Sequence, residues 1–331
     1  MFRDLALHGG VLALLVALGF LLPAYHHGNL ARIMVLATFA TGYNIAFGYT
    51  GLLSLGHAMF FAAGIYGAGL TVEMLGWPAG AGFLAGTAAG AALALVAGLP
   101  ALRTTGVAFL IVTLMFSQAA YLAILYFGEV TRGDEGFVIE ASLREIGGVS
   151  LADAETRYVA ALALFAVALI GQLVLVRSGP GRVLVAMREN EERARMLGYD
   201  PFRARLGALV LSGLYAGAAG AAYALLFGYA GATFGSIQYS ILPLLWVLLG
   251  GAGTTLGPLV GTAAMFYLVN LSSSLFMPWL AGRAEALFGV DATGLASAYM
   301  IVVGIALVAL VLFAPAGILG ALRRRALPWL P

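Results

Sequence analysis

The 331-residue sequence contains no cysteine, no lysine and very little charge of either sign. Without cysteine there is no disulfide framework, no thiolate metal site and no cysteine nucleophile. Without lysine all 17 basic side chains are arginine, which excludes a P-loop ATPase, because that motif holds nucleotide phosphates with the lysine of GxxxxGK[ST]. If the chain works with ATP, another chain must hydrolyse it. Charged residues make up 10% of the sequence, against about 25% in an ordinary soluble domain. HExxH and GxSxG are missing, as are rows of arginine of the kind found in voltage sensors. Carboxylates deep in apolar runs, which an ion-coupled carrier would need, are also lacking. The four histidines, His8, His26, His27 and His57, have no ligand spacing for a metal, and the adjacent pair is expected in an exposed connection.

What is present is apolar sequence: 62% of residues are hydrophobic and the mean hydropathy is +0.98. Apolar stretches recur along the whole chain, each long enough to cross a hydrocarbon core of about 30 Å as a helix. Breaks at Gly, Pro and charged clusters predict spans at 9–25, 30–48, 57–75, 80–102, 106–127, 157–176, 205–229, 238–250, 257–279 and 294–314. The first runs into Pro23, Tyr25 and His26 without a small-residue cleavage pattern and reads as a retained span. The expected fold is therefore an all-α polytopic membrane protein, one transmembrane domain over 1–331 with about ten helices.

Arginine sets the orientation. Seven arginines fall between Arg177 and Arg205, three more form the run Arg323 to Arg325, and Arg103 sits in a short turn. Ten spans place all of these, and both termini, in the cytoplasm. The 128–156 loop, with Glu129, Asp134, Glu135, Glu140, Glu145, Asp153 and Glu155, then lies outside in the periplasm.

Glycines at fourfold spacing, Gly82, Gly86 and Gly90, Gly213 and Gly217, Gly257 and Gly261, predict closely packed helices. GGAGTTLG at 250–257 has a passing likeness to a dinucleotide fingerprint, but it follows a span instead of a strand and reads better as a turn between two spans. In GYNIAFGYTGLLSLGHAMFFAAGIYGAG, 42–69, the polar Asn44, Thr50, Ser54 and His57 are separated by helix-weakening glycines. Polar, broken backbone at membrane depth is tolerated only where protein or a watery cavity covers it, so these side chains either bond neighbouring helices or line a solute path.

One island of charge stands apart, RENEERARMLGYDP at 188–201. A helix over 183–197 would use Ala186, Met187, Ala194 and Leu197 for contact and end at Gly198, with Pro201 blocking its resumption. Pairs Glu189–Arg193 and Glu191–Arg195 have the favourable i,i+4 order. By composition alone this is a solvated loop helix held up by its own ion pairs.

The spacing E-x-A-x-x-x-G of Glu192, Ala194 and Gly198 resembles the EAA loop of ABC importer permeases, the cytoplasmic helix that docks on the ATPase. GYTGLLSLGHAMFFAAGIYGAG, RSGPGRVLVAMRENEERARMLGYDPFRARL, LSGLYAGAAGAAYAL, LLGGAGTTLGPLVGTAA and LFAPAGILG are similar to successive stretches of the branched-chain amino-acid ABC importer permeases, M-type (LivM-type) subunit. That resemblance implies an importer permease fold in a bacterial inner membrane. It implies as partners a second, H-type permease, two P-loop ATPase subunits that carry ATP and Mg, a periplasmic solute-binding protein and membrane lipid, with no nucleic acid and no cofactor on this chain. It makes 177–205 a coupling loop with Arg188, Glu189, Asn190, Glu191, Glu192, Ala194 and Gly198 at the ATPase contact. TRGDEGF at 131–137 departs from a family pattern closer to TGGxDGL, which directs attention to Arg132, Asp134 and Glu135 as a place where the binding protein docks. Branched-chain amino acids are the first expected solutes, with urea, short amides and aromatic or other organic acids carried by close relatives. A passive channel for a small polar solute is the rival reading from a different class; there the arginine-rich loop is only an anchor.

Overall fold

The computed structural model describes residues 2–276, 278–280, 283, 299–313 and 316–325. Apolar helices occupy the expected stretches: α1 (Phe2–Leu21), α2 (Ala24–Asn44), α3 (His57–Glu73), α4 (Ala79–Ala101), α5 (Val107–Tyr126), α7 (Ala154–Arg177), α10 (Pro201–Phe227), α11 (Ile237–Gly250), α12 (Gly257–Leu271) and α13 (Tyr299–Phe313). Among the described residues, six helices are long and apolar enough to cross a membrane, while α1 and α11 supply shorter apolar helices. The protein is thus a largely helical, polytopic membrane protein. Residues 294–298 and 314 of the last expected span lie outside the described residues, as do the side chains of Arg323 to Arg325 in α14 (Gly317–Arg325).

Helix α7 has 24 residues and at 1.5 Å per residue spans about 36 Å, so the segments on either side of it lie at opposite ends of the bundle. At the hairpin end, 128–153 holds α6 (Gly128–Thr131), β1 (Phe137–Val138), β2 (Glu145–Ile146) and β3 (Val149–Ser150). Strands β2 and β3 form a hairpin, and β1 pairs antiparallel with β4 (Tyr229–Ala230), which follows α10. The arginine end holds α8 (Gly179–Glu189) and α9 (Glu191–Met196).

Helices α2 and α10 form the centre, with 89% and 78% of their apolar windows buried, whereas α5 is peripheral at 17%. The expected glycine faces explain how α3, α4 and α10 meet. Gly90 of α4 opposes Gly217 of α10 so closely that a methyl on Gly217 would lie 2.9 Å from the Gly90 Cα. A methyl on Gly67 of α3 would come equally close, 2.9 Å, to the Gly86 Cα. In lipid, where apolar surface gains nothing by leaving the tails, such backbone contact supplies the attraction.

The glycine-rich 251–256 stretch is a turn between α11 and α12, with Gly251 and Gly253 at positive φ. His8 of α1 bonds into it through Thr255, 2.7 Å from Nε2 to Oγ1. The exposed connection expected at His26 and His27 does not occur. Helix α2 begins at Ala24, and its fourth residue, His27, is buried with its ring 5.2 Å from that of Tyr158, because the chain turns at Pro23 with almost no linker.

Candidate functional site

The loop at the arginine end is built from capped pieces. Ser178 accepts a hydrogen bond from the Gly181 amide at 3.3 Å and starts α8, whose Gly181, Leu184 and Met187 face inward. A single helix over 183–197 was the expectation, and the structure corrects it: Asn190 adopts φ −158° and ψ 103°, which ends α8. Its side-chain oxygen then accepts from the Arg193 amide at 3.0 Å to start α9. Asparagine is a strong N-cap and two acids follow it, so capping outweighs continuation. Ala186 and Leu197, expected as contacts, are exposed, while Met187 and Ala194 are buried. Pro201 does not prevent a new helix. It occupies the first turn of α10, where its missing N–H is harmless, and Asp200 caps that turn through the Phe202 and Arg203 amides at 2.9 and 3.3 Å.

The break also redistributes the ion pairs. Glu191–Arg195 forms at 3.2 Å, but Glu189 and Arg193 stand on different helices and do not pair. Instead Glu191 reaches Arg205 at the start of α10, 2.6 Å away, and ties α9 to a long central helix. Gly198, at φ +88°, ends the loop helix in a conformation that favours glycine. Around it Met196, Leu197 and Tyr199 present a large apolar patch, 84%, 75% and 48% exposed, beside the exposed Glu192 and Arg193.

Arg188 links this loop to the polar stretch near Asn44. The helix α2 continues into a wider π-helical turn, Ile45–Tyr49. At that turn Arg188 Nη1 donates to the Gly48 carbonyl, and the Arg188 stem lies over Gly51. Asn44, fully buried, donates from Nδ2 to the Thr254 carbonyl at 2.8 Å and accepts from the Gly253 amide at 2.9 Å. A side chain at Gly253 would meet Arg188 Nη1 at 2.9 Å, so the arginine stands where π-turn and α11–α12 turn come together.

The broken backbone after that turn is satisfied by hydroxyls. Amides of Leu55, Gly56 and Ala58 donate to Thr113, Ser54 and Ser240 at 3.2, 3.1 and 3.0 Å. His57 Nε2 lies 2.7 Å from Ser212 Oγ on α10, and Tyr43 donates to the Ser54 carbonyl at 3.1 Å. Asn44, Ser54 and His57 therefore sit in one fully buried polar layer, each bonded to protein.

At the hairpin end Arg132, Asp134 and Glu135 are exposed on the turn after α6. Arg132 has φ +62°, the one non-glycine in the left-handed region among the described residues. Nearby Arg144 is 8% exposed and donates to the Leu225 carbonyl at 3.2 Å, at the C-terminal end of α10. Burial, then the adjacent Arg157, holds its pKa below the usual guanidinium range. Also near this end lies a cavity of about 590 Å³ whose wall includes Arg32, Tyr223, Gln238 and Thr262. Sequence reasoning missed these residues. The signal was a lone arginine inside an apolar span, which it treated only as part of the span.

Known proteins with similar sequences point one way. Residues 27–311 match the family described as "Branched-chain amino acid transport system / permease component". The chain is 33% identical over 249 residues to the "High-affinity branched-chain amino acid transport system permease protein LivM" of Salmonella typhimurium, over 67% of this chain and 57% of that protein. It is likewise 33% identical over 248 residues to the protein of the same name from Escherichia coli, with the same two shares, 67% and 57%. The chain thus spans 57% of the length of both curated relatives.

Proposed function

The chain belongs to the branched-chain amino acid transport permease family, a multi-pass, non-enzymatic subunit of the bacterial inner membrane, and we propose that it is the M-type half of an ATP-driven importer. In this reading ten helices cross the membrane with both termini in the cytoplasm, the arginine end faces the cytoplasm and the hairpin end faces the periplasm. A second, H-type permease completes the pathway, two ATPase subunits bind at the 177–205 loop, and a periplasmic binding protein docks over Arg132, Asp134 and Glu135. Branched-chain amino acids are the first candidate solutes, ahead of urea, short amides and aromatic or organic acids.

The observation that carries this reading is the reach of Arg188 from the loop to Gly48. A solvated anchor has no need of such a bond, whereas a lever needs both a seat and a linkage. The seat is the apolar patch of Met196, Leu197 and Tyr199 with Glu192, Ala194 and Gly198 around it. The linkage runs from Arg188, beside Glu189 and the Asn190 cap, into the π-turn. ATP-driven closure of the partner ATPases shifts α8 and α9, and Arg188 passes that shift to the backbone around Gly48. Asn44, Ser54 and His57 form the cytoplasmic-side seal of the solute path, which opens when these bonds between α2, α3, α10 and the α11–α12 turn rearrange.

The test is the double variant Glu192→Ala with Gly198→Arg, assembled with its partner subunits. Uptake and stimulated ATP hydrolysis are expected to be lost while the permease stays in the membrane at normal level. Uptake at the unsubstituted rate overturns the coupling role, and uptake without ATP makes the chain a channel.

A further inference from the structure

A groove of about 720 Å³ opens between the end of α7, the start of α8 and the first turns of α10. One end of it is charged, with Asp200 and Arg203 beside Tyr199. The other end is apolar and follows two helices that are long enough to cross the membrane, between Leu175 near the end of α7 and Leu211 of α10. At 1.5 Å per residue Leu211 lies about 12 Å along α10 from Arg203. A groove that is charged at one end and apolar at the other has the pattern of an amphiphile.

The charged end leaves cationic groups available. Asp200 Oδ1 accepts from the Phe202 and Arg203 amides, and its Oδ2 lies 3.2 Å from Arg203 Nε. That carboxylate is committed to the start of α10, whereas the Arg203 side chain is 87% exposed and its two Nη groups have no protein partner among the described residues. Arg182, exposed on α8 next to Val183 of the wall, forms no ion pair among the described residues. From Arg177 to Arg205 seven arginines stand against four acids. The floor of the groove is a small apolar cluster in which Leu184 of α8 and Ala208 of α10 are buried with Ile45 of the π-turn. Leu175 and Ala204, also in the wall, pack on that cluster and stay partly exposed.

We propose that this groove holds one anionic phospholipid, its phosphodiester on Arg203 and one acyl chain along Leu175, Ala208 and Leu211. A basic pocket between spanning helices on the cytoplasmic side captures anionic headgroups. Guanidinium suits a phosphate through parallel N–H donors. A zwitterionic lipid brings an ammonium beside its phosphate, which Arg182 and Arg203 repel, so it is held less firmly. The acyl chain covers the outer side of the Ile45, Leu184 and Ala208 cluster and braces α8 against α10 at the same π-turn that receives Arg188. The cytoplasmic leaflet and this bracing of the lever rest on the transport reading above, while the binding chemistry does not.

The test is native mass spectrometry of the full chain in detergent, titrated with palmitoyl-oleoyl phosphatidylglycerol and, separately, with the matching phosphatidylcholine. The first phosphatidylglycerol is expected to bind several-fold more tightly than the first phosphatidylcholine. Arg203→Gln should weaken it by about fivefold, the worth of one arginine beside anionic lipid. A methyl on Gly207 would meet nothing within 4 Å, and Gly207 lines the groove. Gly207→Leu should therefore fill the groove and remove that lipid, whereas Gly207→Ala should keep it, which separates blocking from a change in helix propensity. Equal affinity of the parent for the two lipids, an Arg203→Gln affinity equal to the parent's, or a Gly207→Leu chain that binds phosphatidylglycerol as the parent does would overturn the site. The assembled complex in phosphatidylglycerol liposomes separates the two readings. Selective lipid binding without ATP-driven uptake by the parent overturns the transport reading and leaves the site, whereas an uptake-to-hydrolysis ratio unchanged by Gly207→Leu removes the lipid from the lever.

Discussion

Arg188 and Gly48, 140 positions apart in the chain, are joined by a hydrogen bond from the guanidinium to a main-chain carbonyl. The arginine belongs to the most charged loop of the protein and the glycine to a π-helical turn at the end of its most buried helix. A single side chain thus joins the loop to that turn.

Arg188→Ala is expected to lower ATP-driven uptake by about tenfold, in line with the loss of a hydrogen bond from a charged donor. Hydrolysis by the partner ATPases should persist, so the number of solute molecules moved per ATP falls. Arg188→Lys should recover part of the loss. An uptake-to-hydrolysis ratio unchanged in the alanine variant would show that coupling travels by another route.

Glu191 and Glu189 are neighbours with opposite expectations. Glu191 pairs with Arg195 and Arg205, at side-chain exposures of 31% for the acid and 22% for Arg205, whereas Glu189 is exposed and forms no ion pair among the described residues. Glu191→Gln should destabilise the seating of α9 by about 1 kcal/mol, the upper end for a partly exposed pair, and speed limited tryptic cleavage within 178–200 several-fold. Glu189→Gln should be cut at the parent rate. Equal cleavage of the two variants would mean that the bond to Arg205 does not hold the loop.

Arg132 takes a left-handed conformation at the end of α6, with its amide 2.9 Å from the Gly128 carbonyl. A residue with a Cβ is disfavoured there by roughly 1–2 kcal/mol, and glycine is not. Because glycine also loosens the unfolded chain, Arg132→Gly should stabilise the fold by a net of about 1 kcal/mol or less. The thermal unfolding midpoint in detergent should rise, and a fall would mean that the arginine side chain contributes more than its backbone forfeits.

Much of this architecture is legible in sequence because its signals are local. The spans expected at 80–102 and 106–127 are helices Ala79–Ala101 and Val107–Tyr126, bounded by Pro78 and Gly106. Uninterrupted apolar runs flanked by helix breakers leave little choice of register. Asn190 shows where such reading fails. The expectation of one helix over 183–197 took no account of an asparagine followed by two acids as a helix start, and the break there gives Glu191 two partners, Arg195 and Arg205. The pairing of Phe137 with Ala230 has no local signal, since two-residue strands carry no periodicity and their partners meet only after α7 and α10 have packed. Arg32 was legible only as a charge within a span, because Phe227, whose ring it covers, comes from a helix far along the chain.

The contact of Gly90 with Gly217 has a thermal consequence. Glycine has no rotamers to surrender, so bringing these backbones together carries no side-chain entropy loss, unlike a leucine seam, which forfeits about 0.5–1 kcal/mol per residue at 25 °C. At that crossing no side chain lies between α4 and α10, whereas nearer the end of α4 Gly98 receives Leu206 and Leu209 of α10. Where α3, α4 and α10 meet through Gly67, Gly86, Gly90 and Gly217, a shift of one helix meets the backbone of the next directly. Compliance is left to the interrupted backbone at 45–56 and 251–256, where hydrogen bonds can be exchanged one at a time.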